Sequence, residues 1–287
     1  MQHKPLPRSL RSRWLGRQLR DIRERRGMTL KMVGEVLQRD HTALSRYERA
    51  EWPIRRAEVV ALLDLYGCHD EETRRRFLQL VDDVWTDDPW IRDYGDVVDP
   101  SFVDFPWLES RAEVIHSYHA TLIPGLFQLP EYAALVIRNA EGPHCAQSAV
   151  DRWVELRMNR QRLLDDERGA RIEAVIDEAA LRRRVGGAAL MRAQLDRIGQ
   201  LAGKGRVEVR VLPADVALHD GLGGSFWFFQ LPSAYPAGVG YLEYLTGRAY
   251  VESAESEHFL RAYRRVRDAA LDPRDSAKLI ATISEEL

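Results

Sequence analysis

The chain has 287 residues, 45% of them hydrophobic, with a formal net charge of −2. That length predicts about two domains, and the apolar content suffices for real cores. No apolar run approaches the ~18 residues of a membrane span. The basic N-terminus lacks the apolar stretch of a signal peptide. The two cysteines, Cys68 and Cys145, are isolated, which excludes a disulfide framework and CxxC-type zinc sites and fits a reducing cytoplasm. The charge is unevenly spread. Residues 1–65 carry 15 Lys+Arg against 8 Asp+Glu, a net +7, and the remainder carries a net −9. A basic module on an acidic body suits a polyphosphate partner at one end only.

The first elements are predicted as follows. Lys4, Arg8, Arg11 and Arg13 form an N-terminal arm that either reaches along a groove or phosphate strand or is a disordered solvated tail. Leu15, Leu19 and Ile22 recur at i, i+4, i+7 and predict a helix over residues 12–26, ended by Gly27. Thr29 is an N-cap for a short helix with Leu30, Val33 and Leu37 on one face. Gln38 and Arg39 form a turn. Asp40 caps a second short helix that buries Leu44 and Tyr47 and leaves Thr42, Ser45, Arg46 and Arg49 outside. Two short capped helices across a tight turn are the pattern of a helix-turn-helix, whose second helix enters the major groove. Polar residues in its first turn suit base edges, and flanking arginines suit phosphates. Pro53 is expected to start a helix with Val59, Leu62, Leu63 and Tyr66 inward. Another begins near Glu71 with Phe77, Leu80, Val81 and Val84 inward. Together these make a five-helix domain over residues 1–84.

The stretch Arg23–Arg49 resembles the Cro/repressor (XRE-type) helix-turn-helix, a lambda-repressor-like fold. The family's Ser-Arg-aromatic-Glu run stands here as Ser45, Arg46, Tyr47 and Glu48. The resemblance implies that His41 and Thr42 are the main base-reading positions, with Ser45 and Arg46 secondary. It implies phosphate contacts at Thr29 and Arg49, and a structural ion pair between Arg23 and Glu48. Two residues depart from the family pattern. Gly34 stands where Ala is usual, relieving crowding between helices. Gln38 stands where Gly is usual, and is expected to take a left-handed conformation at a cost of roughly 1 kcal/mol.

Residues 85–106 are acidic and contain Pro89, Gly95, Pro100 and Pro106; they read as an irregular connector. Its aromatics, Trp85, Trp90, Tyr94, Phe102 and Phe105, with Trp107 beyond, are too apolar for a free linker and are expected to dock on the second domain. From there the predicted order is a strand over 112–122, a turn at Pro124-Gly125, a helix from Pro130 through Arg138, and a long helix over 147–165. A strand over 171–176 precedes a helix capped by Asp177 and closed by Gly186-Gly187. A helix over 188–202 and a strand over 207–212 with one wet face come next. Strands over 226–231 and 239–245 follow, then a hairpin at Thr246-Gly247 to 249–252. Helices near 254–270 and 275–286 finish the chain. Residues 107–287 are therefore α+β, with a sheet of about five strands on the usual size prior. The fold class overall is α+β, an all-α head plus this second domain.

Several segments of this half, taken in order, resemble the DUF5753 domain of actinobacterial regulators called WhiJ-like or Scr1-like. They are 124–139, 157–164, 175–187, 191–195, 209–213 and 221–226. The resemblance implies a transcriptional regulator, antitoxin-like, with a small acidic DUF397-like protein as partner. It supplies no ligand and no catalytic residue. The residues themselves add little chemistry. His219-Asp220 open a Gly-rich loop, HDGLGG, that lacks dinucleotide or P-loop spacing and reads first as a flexible connection. His116 and His119 fall on opposite faces of a strand. His144-Cys145 has no neighbouring ligands. Asp177 explains itself as a cap, and no nucleophile-elbow motif is present. The expectation is a non-enzymatic cytoplasmic regulator without cofactor or metal. It would bind double-stranded DNA as a homodimer paired through residues 107–287 or the connector. The alternatives are a small-molecule sensor with an aromatic-lined pocket and, further off, an enzyme with a DNA-binding head.

Overall fold

The computed structural model describes residues 8–86, 89–95, 98, 102–203, 205–236 and 238–287. The chain forms two compact units, Met1–Asp93 with Ser233–Tyr235, and Tyr94–Pro232 with Pro236–Leu287.

The first unit is built from α1 (Leu10–Arg25), α2 (Leu30–Leu37), α3 (His41–Glu48), α4 (Arg56–Leu65) and α5 (Glu71–Trp85), followed by the short α6 (Pro89–Tyr94). Side-chain caps start the helices where the sequence offers them. Thr29 accepts from the Met32 N–H, Asp40 from Thr42 and Asp70 from Thr73, each satisfying an orphan donor of a first turn. The core holds Leu15, Leu19, Val33, Leu44, Val59, Leu63, Phe77, Leu80 and Val81. Two glycines set how closely the helices approach. A Cβ on Gly16 would sit 2.5 Å from the Glu48 carbonyl oxygen and 2.7 Å from that of Tyr47, so α1 touches the end of α3 backbone to side. A Cβ on Gly34 would lie 2.6 Å from the Arg39 carbonyl, so the turn folds directly onto α2. Gln38 does adopt the left-handed conformation, at φ 52° and ψ 44°.

Three expectations for this unit change. Arg11 and Arg13 belong to α1 and not to an arm. Arg11 is buried, and its guanidinium donates to the Asp83 carbonyl at 3.0 Å. Lys4 lies outside the described residues. The helix expected at Pro53 starts at Arg56 instead, because the Glu58 carboxylate accepts the Arg55 N–H and so fixes the first turn there. Ile54 before it is extended inward, and its carbonyl accepts the Trp85 indole N–H at 2.7 Å. Trp85 therefore serves the first unit, where Arg55 stacks on it, rather than docking on the second.

The second unit is α+β. Its six strands are β1 (Val114–His119), β2 (Arg171–Asp177), β3 (Val207–Leu212), β4 (Phe226–Gln230), β5 (Gly238–Tyr244) and β6 (Gly247–Val251). They form one sheet in the order β3-β2-β1-β4-β5-β6, one strand more than the size prior suggested, because all six predicted strands, the hairpin strand β6 included, join it. β1, β2 and β3 are parallel; β4, β5 and β6 add antiparallel. The helices are α7 (Asp104–Arg111), α8 (Pro130–Glu141), α9 (Gln147–Arg160), α10 (Glu178–Arg182), α11 (Ala188–Ala202), α12 (Glu257–Ala269) and α13 (Pro273–Glu285). On one face α12 covers His116, Tyr118, Val175 and Phe226 through Tyr263 and Val266. On the other, Phe105 of α7 packs edge-to-face against Trp227 and Phe229 and at a tilt against Tyr241. The edge of β3 is closed by α13, whose Ser276 hydroxyl accepts the Val211 N–H, which blunts an edge otherwise open to pairing.

Local boundaries also shift. The first strand covers 114–119 rather than 112–122, since α7 runs to Arg111 and the chain turns after His119. The helix expected over 147–165 ends at Arg160 and tightens into a 3₁₀ turn over Gln161–Leu164. The helix after Asp177 stops at Arg182, where Arg183 turns extended and donates to the Thr121 carbonyl. The connector contains α6, and Tyr94, Phe102 and Phe105 are buried within the second unit. The side chain of Trp90 and Pro100 lie outside the described residues. Among the described residues no helix is long and apolar enough to cross a membrane.

The tight approaches give a direct test. Gly16→Ala is expected to destabilise the first unit by about 1–3 kcal/mol, since backbone must move to admit the methyl group. Gln38→Gly is expected to stabilise it by up to about 1 kcal/mol by releasing the left-handed strain. Urea unfolding of both variants reads the two signs.

Candidate nucleic-acid interface

The geometry of the reader begins with Asp40. Its Oδ1 accepts the Thr42 N–H at 2.8 Å and the Thr42 hydroxyl at 2.7 Å. Those bonds hold the Asp40 carboxyl below its usual range, the Thr42 hydroxyl contributing most. The first turn of α3 is thereby fixed while its outer side stays open. His41 is exposed, with Nδ1 3.5 Å from Asp40 Oδ1, and Thr42 is exposed beside it. Thr42 spends its proton on the cap, so its oxygen faces outward as an acceptor.

Ser45 and Arg46 follow along the helix, both half-buried. The Arg46 guanidinium lies 4.4 Å from the centre of the Trp52 ring, a cation–π contact that orients it. Trp52 lies on this candidate surface, and the helix-turn-helix pattern does not single it out. It is 47% exposed, and its signal in the sequence is only a large aromatic shortly after the second helix. Arg49 is exposed at the C-terminal end of α3 and pairs with Glu51 at 3.2 Å. Thr29 is exposed at the start of α2, its hydroxyl oxygen capping Met32. Arg39, in the turn, is a second residue not singled out. It is 60% exposed and 3.5 Å from Glu58, which also accepts the Tyr47 hydroxyl. Arg8 is tied by its backbone N–H to the Ala50 carbonyl, just past α3.

Behind this surface lies the Arg23–Glu48 pair. Arg23 Nε donates to Glu48 Oε1 at 2.6 Å and Nη2 to Oε2 at 2.9 Å, a two-pronged pair with both side chains 9% exposed. Nη1 donates to the Met28 carbonyl at 2.8 Å. The bonds to Glu48 raise Arg23 above its ordinary pKa against the opposing effect of burial. Arginine's planar fork suits this geometry. One residue of α1 thus fixes both the end of α3 and the loop before α2. The structure brings His41, Thr42, Ser45, Arg46 and Arg49 onto one short helix whose inner side carries Leu44 and Glu48. Among the described residues no group of three or more His, Cys, Asp or Glu is placed to hold a metal.

Comparison with known families agrees with this division. Residues 14–77 match the model described as "Helix-turn-helix domain". Residues 102–282, more than half of the chain, match the model described as "Domain of unknown function (DUF5753)". No curated protein and no solved structure matches the chain.

Two kinds of variant separate support from reading. Glu48→Ala is expected to cost roughly 3 kcal/mol in unfolding free energy, because it strands a buried guanidinium. His41→Ala is expected to leave stability unchanged and to cost about 1–3 kcal/mol at the preferred DNA site while relaxing sequence preference. Arg49→Ala should weaken all sequences alike. Competition binding against scrambled duplexes distinguishes them, and identical behaviour of His41→Ala and Arg49→Ala would defeat the groove assignment.

Proposed function

We propose that this chain, which belongs to the DUF5753 family and carries the helix-turn-helix domain of a DNA-binding regulator ahead of it, reads a specific duplex sequence as a homodimer, with the second unit as its input domain. The observation that carries the reading is α3 itself. Its inner side is locked by Leu44 and the Arg23–Glu48 pair, while its first turn presents His41 and Thr42 to solvent. A helix so held can place side chains on base edges without paying for local ordering on contact.

The dimer follows from size. One reader covers one face of the major groove, and regulators of this type pair two readers across ~34 Å, one helical turn. The pairing surface is assigned to residues 107–287 or the aromatic segment before them. In the partner reading, a small acidic DUF397-like protein binds the second unit in an antitoxin-like arrangement; the support is the resemblance of the ordered motifs in that half. A small-molecule reading has a specific observation of its own, a cavity of about 410 Å³ against one face of the sheet, within the size range of ligand pockets. In either case the second unit acts as a binding module and not as an enzyme.

Selection of bound duplexes from a random pool should return one preferred sequence with two-fold symmetry. Its affinity should fall with salt at a slope of about −0.9 in log K against log salt for each phosphate neutralised. Sedimentation of the full chain should show a dimer. Binding that is flat with salt would refute the DNA assignment, and a monomer that binds a single half-site as tightly as the full site would refute the dimer.

A further inference from the structure

The cavity lies where the sheet changes hand. β1 is flanked by parallel β2 on one side and antiparallel β4 on the other, and the segment leaving its carboxyl end, 120–128, forms much of the wall. This wall is fixed in advance. Gln194, fully buried, accepts the Leu129 N–H and donates to the Phe127 carbonyl. Gln161 donates to the carbonyls of Gly125 and Gln128, and Gln128 donates to that of Ile123.

Three side chains give the cavity its chemistry. Arg157 of α9 donates to Gln128 Oε1 at 2.6 Å, and among the described residues no carboxylate lies within ion-pairing distance of it. The neighbouring Arg160 is matched by Glu109 in a buried two-pronged pair at 2.7 Å. Glu243, also on the lining, is exposed and accepts the Tyr241 hydroxyl. Arg157 is thus the lining arginine that no carboxylate touches directly among the described residues, while Glu243 and Glu109 act on it from longer range. Burial lowers its pKa to about 10, so it stays charged at neutral pH. His119, at the end of β1, is 4% exposed, and its Nε2 has no hydrogen-bond partner. Burial lowers its pKa to about 3, so it stands neutral with one donor and one acceptor nitrogen. Trp227 meets the His119 ring edge-on at 5.0 Å, and with Phe105 and Phe127 it gives the cavity aromatic walls. An unsatisfied buried imidazole nitrogen is costly in a folded protein unless something completes it, and the half-buried Arg157 on the same lining presents a fork of donors to an incoming acceptor.

We propose that this cavity is a ligand site for a small organic carboxylate with an aromatic or branched apolar body, its carboxylate on Arg157, its polar edge on His119 Nε2 and its body against Trp227. The proposal deepens the reading of the second unit as an input domain. Its test contains no DNA, so its failure and the failure of the DNA reading are distinguishable.

The experiment is calorimetric titration of the full-length protein with benzoate, phenylacetate, indole-3-acetate and 3-methylbutanoate, each beside its neutral amide, and with inorganic phosphate. At least one acid is expected to bind at a single site, about ten-fold or more tighter than its amide, and more tightly than phosphate. Arg157→Gln should abolish the preference for acid over amide, and Arg157→Lys should keep part of it. Far-UV circular dichroism and melting of both variants establish that they are folded. His119→Phe, which keeps an aromatic ring and removes the nitrogens, should weaken the acid without restoring amide binding. The proposal is overturned if no acid binds at millimolar concentration, if acid and amide bind alike, or if a folded Arg157→Gln protein retains the preference.

Discussion

Each unit is oriented around one arginine fork buried on a carboxylate. Arg23 on Glu48 holds α3 against α1 in the first unit, and Arg160 on Glu109 holds α9 against α7 in the second. Such pairs contribute little net stability, because the cost of desolvating two charges offsets most of their attraction. What they supply is direction. A guanidinium has one plane, and a two-pronged contact fixes both the distance and the rotation of the helix that bears it. In the first unit this device works together with Gly16, whose missing Cβ lets α1 meet the Glu48 carbonyl. The end of α3 is therefore fixed from the side and from below.

The same pairing explains why Arg157 stands apart. Arg157 and Arg160 are three residues apart on one helix, both turned toward the sheet. Only Arg160 finds a carboxylate among the described residues. On the opposite face polar groups converge on one carboxylate, although His116 Nε2, like His119 Nε2, has no hydrogen-bond partner among the described residues. On the face under α12, His116 and the Tyr263 hydroxyl both approach Glu173, whose carboxyl is held below its usual range chiefly by the bond to His116. The HDGLGG loop is likewise settled. Asp220 pairs with Arg265 in α12, and Gly221 sits against the Tyr118 ring, where no side chain would fit. That loop forms a 3₁₀ turn over Asp220–Gly223.

The reader was legible because its signals are local. Thr29, Asp40 and Asp70 announce helix starts through their own chemistry, and Gly27 ends the first helix at φ 65°. The apolar spacing of α4 and α5 names the residues that are in fact buried. The strands of the second unit could be read for a similar reason, as short β-branched and aromatic runs between turn residues. Boundaries were missed where a distant group decided them. The Arg183 bond to Thr121 helps end α10, and the 3₁₀ turn after Arg160 shortens α9.

From the sequence alone came most of the elements and their order, α6 and α7 excepted, and the outward side of the first turn of α3, since these depend on periodicity, capping and spacing within a few residues, while ordered motifs gave the family of each half. The tertiary structure alone decided that the six strands join one sheet in the order β3-β2-β1-β4-β5-β6, that Arg46 rests on Trp52, and that Arg157, His119 and Trp227 line one cavity. Those residues are as much as 108 positions apart. Nothing in the local pattern of an arginine on a helix or a histidine at a strand end records which other segment the fold will lay beside it.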